Sequence, residues 1–318
     1  SDVCSSDLDL IVTKEVINFV PGIVPGIGMA MNCFTQKGDK VMIQPPVYHP
    51  FAWVTTRNER TLVINPLRWE NGMYRMDLDA FREQIKGCKL FILCNPHNPG
   101  GVVWTEAELR AIADICYDEK VLVFSDEIHA DLTLPPHTHR PFATVSEKAR
   151  MNSVTFMSPS KAFNMPGLSA SHALIFNEDL RKRFRIYMDA GELDMGHVFA
   201  FLSVEAAYSH GTEWLDQCLA YIQGNIDFVD EFLKKHAPKI KAIRPEASYL
   251  VWLDCRELEL SQKDLNEFFV DKAHLALNDG EMFGKEGIGF MRLNVASPRC
   301  IIEKAMKQLA DAYQLYIK

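Results

Sequence analysis

Three short, almost wholly apolar runs constrain this chain most: residues 89–94, 121–124 and 154–157. Each is too short for a buried helix and lacks the polar alternation of a half-solvated strand, so each reads as a strand buried on both faces. Each stops abruptly at polar or turn-forming residues: Asn95-Pro-His-Asn-Pro-Gly-Gly101, Ser125-Asp-Glu-Ile-His129 and Ser158-Pro-Ser-Lys-Ala-Phe-Asn-Met-Pro-Gly167. Helical patterns lie between them. The clearest begins at Thr105, where Glu108 completes a capping box and Leu109, Ile112, Ala113 and Cys116 share one face. Further strands are expected at residues 40–44, 61–65 and 172–176, with helices at 25–35 and 77–85. Residues 9–19 read as a helix or a strand. Pro25 is expected at the first helical position and Gly38 at the stop. Alternation of this kind specifies an α/β fold with a mostly parallel sheet covered by helices on both faces.

Such sheets bind ligands at the carboxyl ends of their strands. Tyr48, Asn98, Asp126, His129 and Lys161 all fall there, so one crevice is expected to gather them. Beyond them, residues 212–235 read as one long helix. Strands at 249–254 and 290–295 and helices at 261–273 and 300–317 then suggest a smaller α+β unit. The expected division is 9–216 for the large domain and 217–318 for the small one. In Phe290-Met-Arg-Leu-Asn-Val295, Met291, Leu293 and Val295 share a face and Arg292 points the other way. Ser1–Leu8 reads as a non-native leader, with the native N-terminus missing.

A net charge of −8 argues against a nucleic-acid surface. The eight cysteines include no CxxC pair, which favours free thiols in a reducing cytoplasm over disulfides or a metal site. The apolar run 16–34 is broken by Pro21, Gly22, Pro25 and Gly26 and is not a membrane span.

Lys161 lies among small hydroxyl residues just after a buried strand. A solvated loop lysine needs no such setting, whereas a Schiff-base lysine must be partly desolvated and aimed. Each companion has a plainer reading: Asp126 as a helix cap, His129 as a core histidine, Asn98 as a turn brace, Arg292 as a solvated strand charge, and the Gly22-Ile23-Val24 turn as a simple helix start. Together they are more economical as one cofactor site. Pyridoxal phosphate needs a lysine, a carboxylate for its ring nitrogen, donors for its phenolic oxygen and phosphate, and an aromatic on its ring face.

The segments PPVYHPF, NPHNPGG, SDEIHADL, SPSKAFNMPGL, NDGEMFG and FMRLNVASPR, in this order, resemble fold-type I pyridoxal-phosphate enzymes of the class I/II aminotransferase superfamily. They are most similar to the MalY/PatB-type cystathionine β-lyases, and the likeness runs from about Ile11 to the C-terminus. The resemblance implies that Lys161 carries the cofactor, Asp126 partners the ring nitrogen, and Asn98 and His129 lie near the phenolic oxygen. It further implies that Tyr48 stacks on the ring as part of the catalytic set. Gly22, Ile23, Val24, Ser158 and Ser160 would cradle the phosphate, and Arg292 would bind the substrate α-carboxylate. Three positions depart from the commoner aminotransferase pattern: Gly100 for Thr, Ser169 for Arg and His129 for Tyr. The last two agree with the lyase branch. The resemblance also implies a homodimer, and an N-terminal arm that this chain lacks. The expected activity is carbon–sulfur β-elimination, with amino transfer as the first alternative and a regulatory binding role on the same fold as the second.

Overall fold

The computed structural model describes residues 12–316. Residues 1–8, read above as a leader, lie outside the described residues. Strands β1 (Ile17–Val20), β2 (Lys40–Ile43), β3 (Thr61–Ile64), β4 (Arg68–Glu70), β5 (Met73–Arg75), β6 (Cys88–Cys94), β7 (Leu122–Asp126), β8 (Ser153–Met157) and β9 (Ser171–Leu174) occupy the first part of the chain. With them come helices α1 (Ile23–Phe34), α2 (Pro50–Arg57), α3 (Leu78–Gln84), α4 (Glu106–Asp118), α5 (Glu147–Met151), α6 (Glu178–Asp189) and α7 (Val198–His210). The long helix α8 (Thr212–His236) follows, then β10 (Lys241–Ile243), β11 (Leu250–Asp254), α9 (Gln262–Glu267), β12 (Asn278–Asp279), β13 (Phe290–Asn294) and α10 (Arg299–Tyr316).

The main sheet has seven strands in the order β1-β9-β8-β7-β6-β2-β3. From β8 to β3 every pairing is parallel, and β9 and β1 close one edge antiparallel. The all-apolar runs explain the layering. Phe91, Leu93 and Val123 enter the core cluster that contains Leu109, Ile112 and Phe142, while Ile92, Phe124 and Phe156 enter the one containing Ile27, Val41 and Phe184. Successive side chains alternate across a strand, so a sheet wrapped on both faces needs apolar residues at every position.

A second, antiparallel sheet has the order β10-β11-β13-β12. Met291 and Leu293 pack with Val251, Leu253, Ile226 and Met306 in its core, leaving Arg292 on the opposite face as the alternation predicted. The expected division at 216/217 falls inside α8, which runs unbroken past it.

Where the two sheets meet, the Gly101 carbonyl accepts the N–H groups of Glu246 (2.8 Å) and Ala247 (3.1 Å). Gly101 has φ +68°, and a Cβ there would lie 2.5 Å from Cβ of Pro245. Only glycine permits both the backbone angle and the contact. The Val103 N–H donates to Oε2 of Glu246 at 2.8 Å, completing the seam.

Several boundaries differ from the reading of the sequence. Helix α1 starts at Ile23, so Pro25 sits in its third position, where a missing N–H still costs nothing. The same helix is capped at Thr35, and Gly38 serves the following turn at φ +84°. The helix expected over 261–273 changes at Phe268 into a π-helical turn running to Lys272. The stretch 9–19 resolves, from residue 12 on, into a single 3-10 turn (Lys14–Val16) leading into β1. Helices α2, α5, α6 and α7, the strands β10 and β12 and the hairpin β4-β5 lie where the sequence pattern assigned no element. Cys88, Cys94, Cys116 and Cys255 are buried free thiols, Cys33 and Cys218 are half-buried and Cys300 is exposed. No helix among the described residues is long and apolar enough to cross a membrane.

Candidate active site

The carboxyl ends of β6, β7 and β8 open into a cleft of about 430 Å³, walled on the other side by residues of β11 and β13. Asp126 ends β7, buried to 3% exposure, and its Oδ1 accepts the Ile128 N–H at 3.1 Å. Burial raises its carboxyl to about 7, and the neighbouring Glu127 charge adds to this. The Ile128 amide and the Lys161 ammonium pull it back, but less strongly. A carboxylate in this position lacks a cationic partner sufficient to offset its desolvation.

Glu127 faces the other side of the sheet and is itself anchored. It accepts from Ser125 Oγ (2.7 Å) and the Phe142 N–H (2.9 Å), and it pairs with buried His139 Nε2 (2.8 Å). Pinning the residues on both sides of Asp126 fixes the strand end that carries it.

Lys161 sits on the loop after β8 and lines the cleft with Ser160. His129 also lines it. Its Nδ1 has no partner among the described residues, and burial, then the charges of Lys161 and Arg292, push the imidazole down to about 3. It is therefore a neutral ring at physiological pH. Tyr48 presents an aromatic ring whose hydroxyl is pushed up by burial and by Asp126.

Arg292 reaches in from β13. It donates from Nη1 to Asn98 Oδ1 and from Nη2 to Asn278 Oδ1, both at 2.8 Å. Its guanidinium lies 4.6 Å from the Phe283 ring centroid, and its buried Nε has no partner among the described residues. Burial lowers it to about 10, so it stays a cation. The Phe283 carbonyl in turn accepts the Val47 N–H (2.9 Å), tying this arginine's platform to the loop that carries Tyr48.

The N-terminus of α1 forms the remaining wall through Gly22, Ile23 and Val24. Gly22 precedes the helix at φ +144° with no side-chain cap. The first-turn amides thus lack intrahelical acceptors and face a site that favours anions.

Lys161, Asp126, Asn98, His129, Tyr48, Gly22, Ile23, Val24, Ser160 and Arg292 are thus brought together, and Ser158 is not. Ser158 is buried behind the loop. Its hydroxyl donates to the Ala170 carbonyl (2.8 Å), lies 2.9 Å from Ser160 Oγ and accepts the Ser160 N–H (3.1 Å). These bonds shape the lysine loop and leave the hydroxyl no place in the cleft. Gly100, where Thr is commoner, has a steric reason of its own. A Cβ there would lie 2.9 Å from both His97 Nδ1 and Tyr74 Cδ2. The sequence reading missed Tyr249 and His49, which line the cleft, and Asn278, which holds Arg292. Asn278 lay in a quoted segment, but no chemistry at that spacing announced it.

The donor set fits pyridoxal phosphate. A buried carboxyl short of a cation suits a protonated ring nitrogen, and free helix amides beside a glycine and a serine suit a phosphate. The amine of Lys161 and the Tyr48 ring stand in the same cleft.

Comparison with known proteins agrees. Residues 8–309 match the model of the family "Aminotransferase class I and II". The chain belongs to this family. Cystathionine beta-lyase PatB of Bacillus subtilis is 39% identical over 303 residues, spanning 95% of this chain and 78% of the relative. Among solved structures, cystalysin of Treponema denticola, which contains a pyridoxal 5'-phosphate cofactor, superposes with TM-score 0.97 at 33% identity. That match covers 100% of this chain and 81% of the other. The PLP-bound C-S lyase of Staphylococcus hominis gives TM-score 0.91 at 32% identity, covering 98% and 80%. The chain therefore has the fold-type I architecture of pyridoxal-phosphate enzymes.

Proposed function

We propose that the chain is a pyridoxal-phosphate-dependent carbon–sulfur β-lyase that converts cysteine S-conjugates to pyruvate, ammonia and a thiol. The observation that carries this reading is the meeting of Lys161, the buried Asp126 carboxyl and the Arg292 fork in one cleft. The relatives named as cystathionine β-lyase and C-S lyase support elimination over amino transfer.

In this reading the cofactor supplies a conjugated ring that accepts the electrons left when a substrate loses its Cα proton. Asp126 would hold the ring nitrogen protonated, and Tyr48 would offer its aromatic surface to the ring. Asn98 and His129 would serve the phenolic oxygen, and the Gly22–Val24 amides with Ser160 would bind the phosphate. Arg292 offers a planar fork to the α-carboxylate while Asn98 and Asn278 fix its plane. The freed amine of Lys161 removes the Cα proton and returns a proton where the departing sulfur needs one.

We keep in this proposal the division into units 9–216 and 217–318, a cytoplasmic location and a homodimer. Free thiols in the described residues support a reducing compartment. Helix α7 supports the dimer: Val198, Phe199, Phe201 and Leu202 all stand more than half exposed. Apolar surface of this extent marks an interaction face.

The test is pyruvate release from a cysteine S-conjugate without added keto acid. A strict requirement for a keto-acid acceptor, with no pyruvate formed, moves the protein to the aminotransferase reading.

A further inference from the structure

Lys161 and Tyr249 stand between two hollows. With Ser160, Pro166 and Asn294 they line both the cleft just described and a side chamber of about 310 Å³. The chamber's remaining walls take no part in the cleft. They come mainly from α8, through Trp214, Cys218, Tyr221 and Ile222, and from the turn after β13, through Ala296 and Pro298, with Leu132 and the lysine-loop residues Ala162 and Asn164 completing them.

The walls have a consistent chemistry. Lys161 is the one charged side chain among the lining residues, and the polar groups are a few amides and hydroxyls. The Tyr221 hydroxyl is already engaged, accepting the Arg299 N–H at 2.6 Å. Trp214 stacks on Phe163, two residues after the lysine, with ring centroids 5.9 Å apart and planes 27° from parallel. Indole, phenol, aliphatic and proline surfaces thus converge beside the amine that would act on the substrate. A group ending in an amino and a carboxylate charge would find no ionic partner there beyond Lys161, whose amine the reaction itself engages, and would enter at a cost in desolvation. A flat or aliphatic uncharged group would gain apolar contact and ring stacking.

We propose that this side chamber receives the sulfur substituent of the substrate. It selects cysteine S-conjugates bearing an uncharged apolar or aromatic group over those, such as cystathionine, whose substituent ends in a zwitterion. The proposal rests on the lyase reading above.

The test uses the holoenzyme with three substrates that all release alkyl thiols: S-methylcysteine, S-benzylcysteine and cystathionine. Cys218→Phe fills the chamber from α8, and Ala296→Phe fills it from the opposite wall, so one misfolded variant does not remove the test. In wild type, kcat/KM should be higher for S-benzylcysteine than for cystathionine. Each filling variant should lower kcat/KM for S-benzylcysteine on the order of tenfold or more, the scale of steric discrimination in an apolar pocket. S-methylcysteine should keep its wild-type value. Equal effects on large and small conjugates, no effect on either, or a wild-type preference for cystathionine overturns the proposal. If no conjugate yields pyruvate, the lyase reading itself fails. Calorimetric binding then decides the chamber: the filling variants should weaken S-benzylcysteine and spare S-methylcysteine, and equal binding by all forms overturns it.

Discussion

Replacing Asp126 by Asn should stabilise the cofactor-free protein while removing its activity. The carboxyl is buried to 3% exposure, and burial lifts it from an ordinary 3.8 to about 7. A carboxyl whose affinity for protons is higher in the folded state supports folding fully below pH 3.8. That support is lost as pH rises through about 7. At about 1.4 kcal/mol per pH unit, the loss amounts to about 4 kcal/mol above pH 7. The near-isosteric amide carries no charge to desolvate and can still accept the Ile128 N–H. Urea unfolding of cofactor-free wild type and Asp126→Asn, compared from pH 4 to pH 8.5, should therefore show the variant gaining stability as pH rises. The curves should approach one another in acid. Turnover of the reconstituted variant should fall sharply, since an amide cannot keep the ring nitrogen protonated. A variant less stable than wild type at pH 8, or a gap independent of pH, would refute the electrostatic account. Unchanged turnover would refute the role of Asp126.

Other consequences can be checked separately. Arg292→Lys keeps the charge but loses the fork held between Asn98 and Asn278, so kcat/KM for any amino-acid substrate should fall on the order of a hundredfold, as misplacement by about 1 Å does; steady-state kinetics decide this. Glu127→Ala leaves buried His139 and the Phe142 N–H without their partner, and denaturant unfolding should show a loss of roughly 3–5 kcal/mol. Sedimentation of the active protein should give a dimer, and Phe199→Glu with Leu202→Glu on α7 should weaken it; an active monomer would count against that interface.

The parts of the fold that sequence revealed are those where local pattern and tertiary setting agree. The runs that became β6, β7 and β8 could be buried in only one way, and their ends therefore located Asn98, Asp126 and Lys161. Helix α4 was announced by its capping box, and the structure has both bonds. By contrast, α7 is apolar all round and exposed, so it carries no helical periodicity to read. Ser158 was placed at the phosphate cradle by the resemblance, but a shared motif does not say which way a hydroxyl turns, and this one donates to the Ala170 carbonyl. Asn278 and Tyr249 reach the site from distant segments, and His49 enters beside Tyr48. Only the folded chain sets Asn278 opposite Arg292, as their pairing across β12 and β13 does.

The central claim is that one cleft, built around Lys161, holds the cofactor and does the chemistry. Its most direct test is borohydride reduction of the pyridoxal-phosphate-loaded protein, followed by proteolysis and mass mapping of the modified lysine. The account predicts a single modified peptide carrying the segment Ser158–Gly167, with the label on Lys161 and visible absorption lost on reduction. Labelling at another lysine, or no covalent label in a protein that still eliminates thiol from a cysteine S-conjugate, would contradict it.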